Sequence, residues 1–201
     1  MTAETQGSPE WHMRRLAKVT GSRVFSVVDF DARGKPRAAY NRLLDELEQE
    51  FKSQQPTANY TSQAMKDGTR KEPIARTLFM LQHDVDVREV GFEDHPNIDH
   101  AGVSLDGIID TENALIEIKC PLINNHTLYW EDERIPPKYL CQMYWGMACY
   151  PQLTHGYFIS YNETAETGKH LLVRRVERNQ KRIDLMEERV TEFVELLKSR
   201  F

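Results

Sequence analysis

Apolar residues recur at three- and four-residue spacing in two long stretches. Leu43, Leu44, Leu47 and Phe51 mark a helix over Ala38–Phe51. Ile183, Met186, Val190, Phe193, Val194 and Leu197 mark an amphipathic helix near the C-terminus, with charges between them. Thr69–Leu81 suits a further helix, with Pro73 in its first turn, where a missing N–H costs nothing. Tyr139–Tyr150 reads as a buried helix, and Thr20-Gly21-Ser22 as a turn that opens a short one, capped by Thr20 or Ser22. Period-two alternation predicts strands at Val85–Phe92, Ala101–Ile109, Ala114–Lys119, Gly156–Tyr161 and His170–Val176, with a turn at Asp110–Asn113. Between these lie a loop over 29–37, a polar linker over 52–63, a turn-rich link over 93–100 and an irregular stretch over 120–136. Residues 1–8 read as a loose tail. This order predicts one domain over 1–201 in the α/β (α+β) class, a central mixed sheet covered by helices.

Composition narrows the setting. A chain of 201 residues has room for a sizeable core. No apolar run is long enough for a membrane span, and the first residues lack a signal-peptide core. Three cysteines, Cys120, Cys141 and Cys149, without CxxC spacing, point to a reduced, cytoplasmic chain. A net charge of −5 does not advertise nucleic-acid binding. A few cations in a groove would still bind phosphates, and a metal site itself needs carboxylates.

The candidate chemistry lies in Gly102–Pro121. Glu117 and Lys119 are two apart, so on a strand they share a face, with Ile116 and Ile118 on the other. Asp106 lies 117 − 106 = 11 residues earlier, a span a hairpin closes. Two hard carboxylates suit Mg²⁺ or Mn²⁺, and the Ile118 carbonyl is a further candidate ligand. Lys119 would orient an attacking water or stabilise developing charge. The simpler reading of E-x-K alone is a salt-bridged surface hairpin.

The longer string SLDGIIDTENALIEIKCP resembles the phage lambda exonuclease and YqaJ-like viral recombinase family of the PD-(D/E)xK nuclease superfamily. WHMRRLAKVTGS, EPIARTLF and YLCQMYWGM are similar to three more of its blocks, in the same order, over Trp11 to Phe158. The resemblance implies a PD-(D/E)xK fold in which Glu72 completes the active site. Asp106 and Glu117 would be metal ligands and Lys119 the catalytic lysine. Arg15, Ser22, Ser104 and Gln142 would hold the 5′-terminal phosphate. It also implies a Mg²⁺-dependent (Mn²⁺ possible) 5′→3′ exonuclease on double-stranded DNA ends. Such an enzyme leaves 3′ overhangs for a single-strand annealing protein and works as a ring-shaped homotrimer in the cytoplasm of a bacterial host, with phage or prophage origin. Leu105 stands where the family's P-D pair has proline, and Lys52–Lys71 does not align clearly enough to name a strand-separating wedge.

Other patterns weigh less. His83, His95 and His100 with Asp84, Asp86, Asp94 and Asp99 fit no compact zinc set. The aromatic residues of Tyr139–Tyr150 suit core packing better than base stacking. Cys120 has no paired base, which argues against a thiol mechanism. Two alternative functions remain open: an endonuclease on the same core, and a non-catalytic DNA-end-binding module.

Overall fold

The computed structural model describes residues 6–57 and 63–201, with 63–66 by backbone only. Its elements run α1 (Pro9–Arg14), α2 (Gly21–Val28), α3 (Ala38–Ser53), α4 (Gln63–His83), β1 (Phe92–Asp94), β2 (Gly102–Ser104), β3 (Gly107–Ile109), β4 (Ala114–Lys119), α5 (Ile123–Glu131), α6 (Pro137–Cys149), β5 (His155–Tyr161), β6 (Leu171–Glu177) and α7 (Gln180–Lys198).

The main sheet has the order β3-β4-β5-β6, and only the β4–β5 pair is parallel. That pair needs a crossover, and α5 and α6 supply it. Side-chain alternation along β4 then divides the core in two. Ala114, Ile116 and Ile118 pack with Ala75 and Phe79 of α4. Leu115 faces the other way, into a larger cluster with Leu44 and Leu47 of α3, Met143 and Trp145 of α6, and Phe193 of α7. A separate ribbon, β1–β2, is tied in by the Trp145 indole, which donates to the Gly102 carbonyl at 3.0 Å. The fold is the expected mixed α+β arrangement.

Several local expectations change. Val85–Phe92 is not a strand: apart from an isolated bridge from Arg88 to Ile108 it finds no ladder, and pairing begins only at Phe92. The expected strand 101–109 is cut at Leu105-Asp106, because β2 pairs with β1 while β3 pairs with β4. Pro73 lies inside α4, not in its first turn. Packing on both sides carries the helix through it. Ala75 and Phe79 are in the core, and Gly68 lies beside the Cys120 carbonyl. The stretch 120–136 contains α5, which no apolar stripe announced. Its single buried residue, His126, is held by Ser160 Oγ at 2.8 Å and the Lys169 carbonyl at 2.7 Å. The linker over 52–63 falls partly on residues outside the described ones. Of the expected tail, Gln6 donates to the Leu105 carbonyl at 2.7 Å, and Ser8 caps α1.

Beneath the N-terminal segment lies a buried carboxylate, Glu50. It accepts from the Ala17 N–H at 2.9 Å, from the Thr57 hydroxyl at 2.8 Å and from Arg23 Nη2 at 2.6 Å. These donors outweigh its desolvation and hold its pKa below the ordinary value. Glu50→Ala would leave the Ala17 N–H unsatisfied and strip Arg23 of the more buried of its two carboxylate partners. A loss of about 3 kcal/mol is expected, read as a lower urea midpoint with an unchanged slope.

Candidate active site

The β3–β4 ladder closes at Gly107 and Ile116, so β4 runs on beyond its neighbour. In the space this leaves, the Asp106 carboxylate takes over the ladder: its Oδ2 accepts the Ile118 N–H at 2.6 Å. A strand residue directs its N–H and C=O to the same side, so the Ile118 carbonyl also points toward Asp106. Glu117 and Lys119 project from the α6 side of β4. Glu117 is 4% exposed, and the Lys119 ammonium lies against its Oε1 and 5.2 Å from the Tyr139 ring. Glu72 reaches the same place from α4 and is within electrostatic range of both Asp106 and Lys119.

Burial dominates the electrostatics. Desolvation pushes Glu72 up to about 7, with Asp106 adding to the rise and Arg76 and Lys119 opposing it. Glu117 is raised to about 7 by desolvation, against the pull of Lys119. Desolvation works to lower the pKa of Lys119, but Glu117 and Asp106 outweigh it and hold the group above its ordinary value. An ammonium beside a carboxylate favours the ionised carboxylate, so the two shifts oppose each other. The ion pair keeps Lys119 charged.

A second cluster adjoins the first. Ser104 Oγ accepts from Arg15 Nη1 at 2.8 Å and from Trp11 Nε1 at 3.0 Å, and the Arg15 guanidinium lies 4.0 Å over the Trp11 ring. Burial, helped by the nearby charge of Arg23, lowers the pKa of Arg15 to about 10. Arg23 is neutralised by Glu46 and Glu50. Among the described residues Arg15 has no carboxylate ion-pair partner, which leaves a half-buried cation suited to an anion. Arg15, Ser22 and Glu72 line one cleft of about 480 Å³.

Of the residues singled out from sequence, Glu72, Asp106, Glu117 and Lys119 converge at the end of β4, and Arg15, Ser104 and Ser22 gather beside them. Gln142, half-buried on α6, does not line this cleft and makes no side-chain hydrogen bond among the described residues. Thr20, not Ser22, caps α2, which leaves the exposed Ser22 hydroxyl at the cleft, 3.2 Å from Thr20 Oγ1. The histidines of the rejected zinc pattern are spent on packing. His95 stacks on Trp145, His83 lies near Phe79, and His100 lies near Phe51.

Two contributors, Trp11 and Arg76, lie in the matched blocks without being assigned to the site from sequence. Trp11 and Arg15, four apart, pack as a helical pair, and so do Glu72 and Arg76. That spacing was the available signal.

The donor set fits a hard divalent cation. Among the described residues no three His, Cys, Asp or Glu side chains form a ready-made cage. Mg²⁺ does not need one, since it keeps several waters and takes one or two carboxylates. Buried Glu117 Oε1 has the Lys119 ion pair but no well-directed hydrogen bond, as an oxygen available to a cation would.

The sheet and the carboxylate–lysine end of β4 define a PD-(D/E)xK-type fold, shared with solved exonucleases. The chain belongs to the YqaJ-like viral recombinase domain family, whose model matches residues 10–169. It is 32% identical to an alkaline exonuclease, LHK-Exo, from Laribacter hongkongensis, over 96% of this chain and 93% of that one, with a TM-score of 0.87. The structure of LHK-Exo in complex with dAMP matches at 31% identity over the same shares, with a TM-score of 0.88. A phage-related exonuclease from Haemophilus somnus 129PT shares the fold at 14% identity, covering 90% of this chain and 95% of that one, with a TM-score of 0.75. No curated protein sequence matches. Among the described residues no helix is long and apolar enough to cross a membrane.

The raised carboxylates have a consequence for stability. A folded pKa above the unfolded value of 4.5 means that the folded state holds protons more tightly. Stability is therefore lost as pH rises through 7. Metal-free protein should melt lower at pH 8 than at pH 6, by about 2–4 °C per carboxylate. Mg²⁺ should raise the midpoint more at pH 8, and Glu117→Gln should flatten the metal-free slope. Scanning calorimetry at the two pH values checks this.

Proposed function

We propose that this protein is a metal-dependent 5′→3′ exonuclease that digests one strand of linear double-stranded DNA and leaves 3′ single-stranded overhangs. The observation that carries the reading is one cleft lined both by Glu72, a member of the carboxylate cluster, and by Arg15, which has no carboxylate ion-pair partner among the described residues. The family membership and the alkaline exonuclease likeness support a nuclease. Polarity follows if Arg15, with the Ser22 and Ser104 hydroxyls, grips a 5′-terminal phosphate beside the hydrolytic centre. Gln142 is retained as a fourth phosphate contact on family resemblance alone.

Asp106, Glu117 and the Ile118 carbonyl would hold Mg²⁺ or Mn²⁺, which supplies charge neutralisation at the scissile phosphate and a more acidic water. Lys119 positions the attacking water and offsets charge developing on the phosphate oxygens. Glu72 completes the carboxylate set from α4. Water adds at phosphorus, the 3′ oxygen of the terminal nucleotide leaves with a proton, and a 5′-mononucleotide is released. Arg15 then meets the next 5′-phosphate.

The same reading includes a ring-shaped homotrimer around duplex DNA and delivery of the overhang to a single-strand annealing protein. Both rest on the family resemblance alone. A light-scattering mass three times that of the chain is expected, and a monomeric mass ends the ring.

Linear duplex labelled at either the 5′ or the 3′ end tests activity, polarity and metal need together. Label at the 5′ end should appear first as mononucleotide, with Mg²⁺ and not with EDTA. Cutting of a covalently closed circle would favour the endonuclease alternative, and no digestion at all would favour a DNA-end-binding module. Glu117→Ala and Lys119→Ala should each lower kcat by about a thousandfold or more while retaining end binding. Arg15→Ala should remove the preference for 5′-phosphate over 5′-hydroxyl ends. Equal rates on the two ends in the parent protein would exclude that role.

A further inference from the structure

Glu72 is a half-buried carboxylate among like charges, and something must keep it turned into the cleft. The side chain that does so is Arg76, one helical turn further along α4. Its Nη2 donates to Glu72 Oε1 at 3.0 Å, and its Nη1 lies 2.8 Å from Glu89 Oε1. Arg76 is 9% exposed, between the core residues Ala75 and Phe79 on one side and the 85–91 segment on the other. That segment is pinned in turn: Arg88, next to Glu89, exchanges both backbone hydrogen bonds with Ile108 at 2.9 Å. Ile108 is two residues past Asp106. A chain of contacts therefore runs from Glu72 through Arg76, Glu89 and Arg88 to the strand that begins beside Asp106.

We infer that Arg76 is a positioning residue for the nuclease centre, bridging Glu72 and Glu89 so that the α4 carboxylate and the Asp106 strand keep one mutual geometry. The inference rests on the nuclease reading above. Arg76 does not line the cleft and touches neither substrate nor metal on this reading; it acts through Glu72. A buried guanidinium forked between two carboxylates fixes both distance and direction. A lysine at the same place has a single ammonium with no fork, and reproduces the charge without the bridge.

A double-mutant cycle in the full chain tests this, with kcat and KM measured on 5′-phosphorylated linear duplex in Mg²⁺. Arg76→Ala should lower kcat about a hundredfold with KM little changed, and Arg76→Lys should recover about tenfold of that loss. In a Glu72→Gln background, Arg76→Ala should cost less than threefold more, because its partner is already gone. Glu89→Gln, at an exposed position, should lower kcat by about threefold. Thermal midpoints identify variants that fail to fold; Arg76→Lys and Glu89→Gln keep the test decisive if Arg76→Ala is one of them. Losses that multiply in the double variant, an unchanged kcat in Arg76→Lys and Glu89→Gln, or a loss confined to KM would overturn the positioning role. A parent protein inactive on linear duplex with either Mg²⁺ or Mn²⁺ would overturn the nuclease reading and this inference with it. An active parent with a multiplicative cycle removes this inference alone.

Discussion

Glu117 is a carboxylate taken almost wholly out of water, and the surrounding structure is arranged to make that tolerable. An unpaired buried carboxylate would cost several kcal/mol. Lys119 lies against it from the same face of β4, and strand alternation guarantees that shared face. The ladder ends at Gly107, so Asp106, not a neighbouring strand's backbone, satisfies the Ile118 N–H. Had β3 continued alongside β4, that N–H would be spent in an ordinary ladder and the carboxylates would have no opening between them. The carboxylate cluster depends on a ladder that stops at Ile116, three residues before β4 ends.

Charge is distributed with the same economy. Arg23 and Arg15 both line the cleft, yet among the described residues only Arg23 has carboxylate ion-pair partners, Glu46 and the buried Glu50. Arg15 is held instead by neutral groups, the Ser104 hydroxyl and the face of Trp11. One arginine is ion-paired and the other is held by neutral groups. An overall charge of −5 conceals this arrangement, because what matters is the local pairing of charges in a cleft and not the sum over the chain.

How much could be read in advance varied with the physical origin of each feature. Helices held by an apolar stripe, such as α3 and α7, followed from periodicity because burial of the stripe is what stabilises them. The helix α5 did not, since it has no apolar stripe and is secured by the hydrogen bonds of His126 and by Tyr129 packed against Tyr139 and Phe158. Val85–Phe92 alternates correctly but a strand exists only where a partner offers a ladder, and that partner arrives only at Phe92. Pro73 signals a helix start locally, and packing of its neighbours against the sheet overrides the signal. In the site, Asp106, Glu117 and Lys119 were legible from spacing. Glu72, Arg15, Ser22, Ser104 and Gln142 came from family resemblance. Trp11 and Arg76 lie in the blocks that carry the resemblance, but their roles, like that of Glu50, emerged only from contacts.

The sequence by itself determined the two-residue alternation that sets Glu117 beside Lys119, the hairpin span that returns Asp106 to them, and the apolar periodicity that covers the sheet with helices. These are properties of local geometry. Only the tertiary structure decided that β3 would stop short of Asp106, that α4 would pass through Pro73 to bring Glu72 to the end of β4, and that Arg23 would be neutralised while Arg15 would not. Each of those outcomes depends on which distant groups meet and on which charges are removed from water together, and spacing along a chain carries neither.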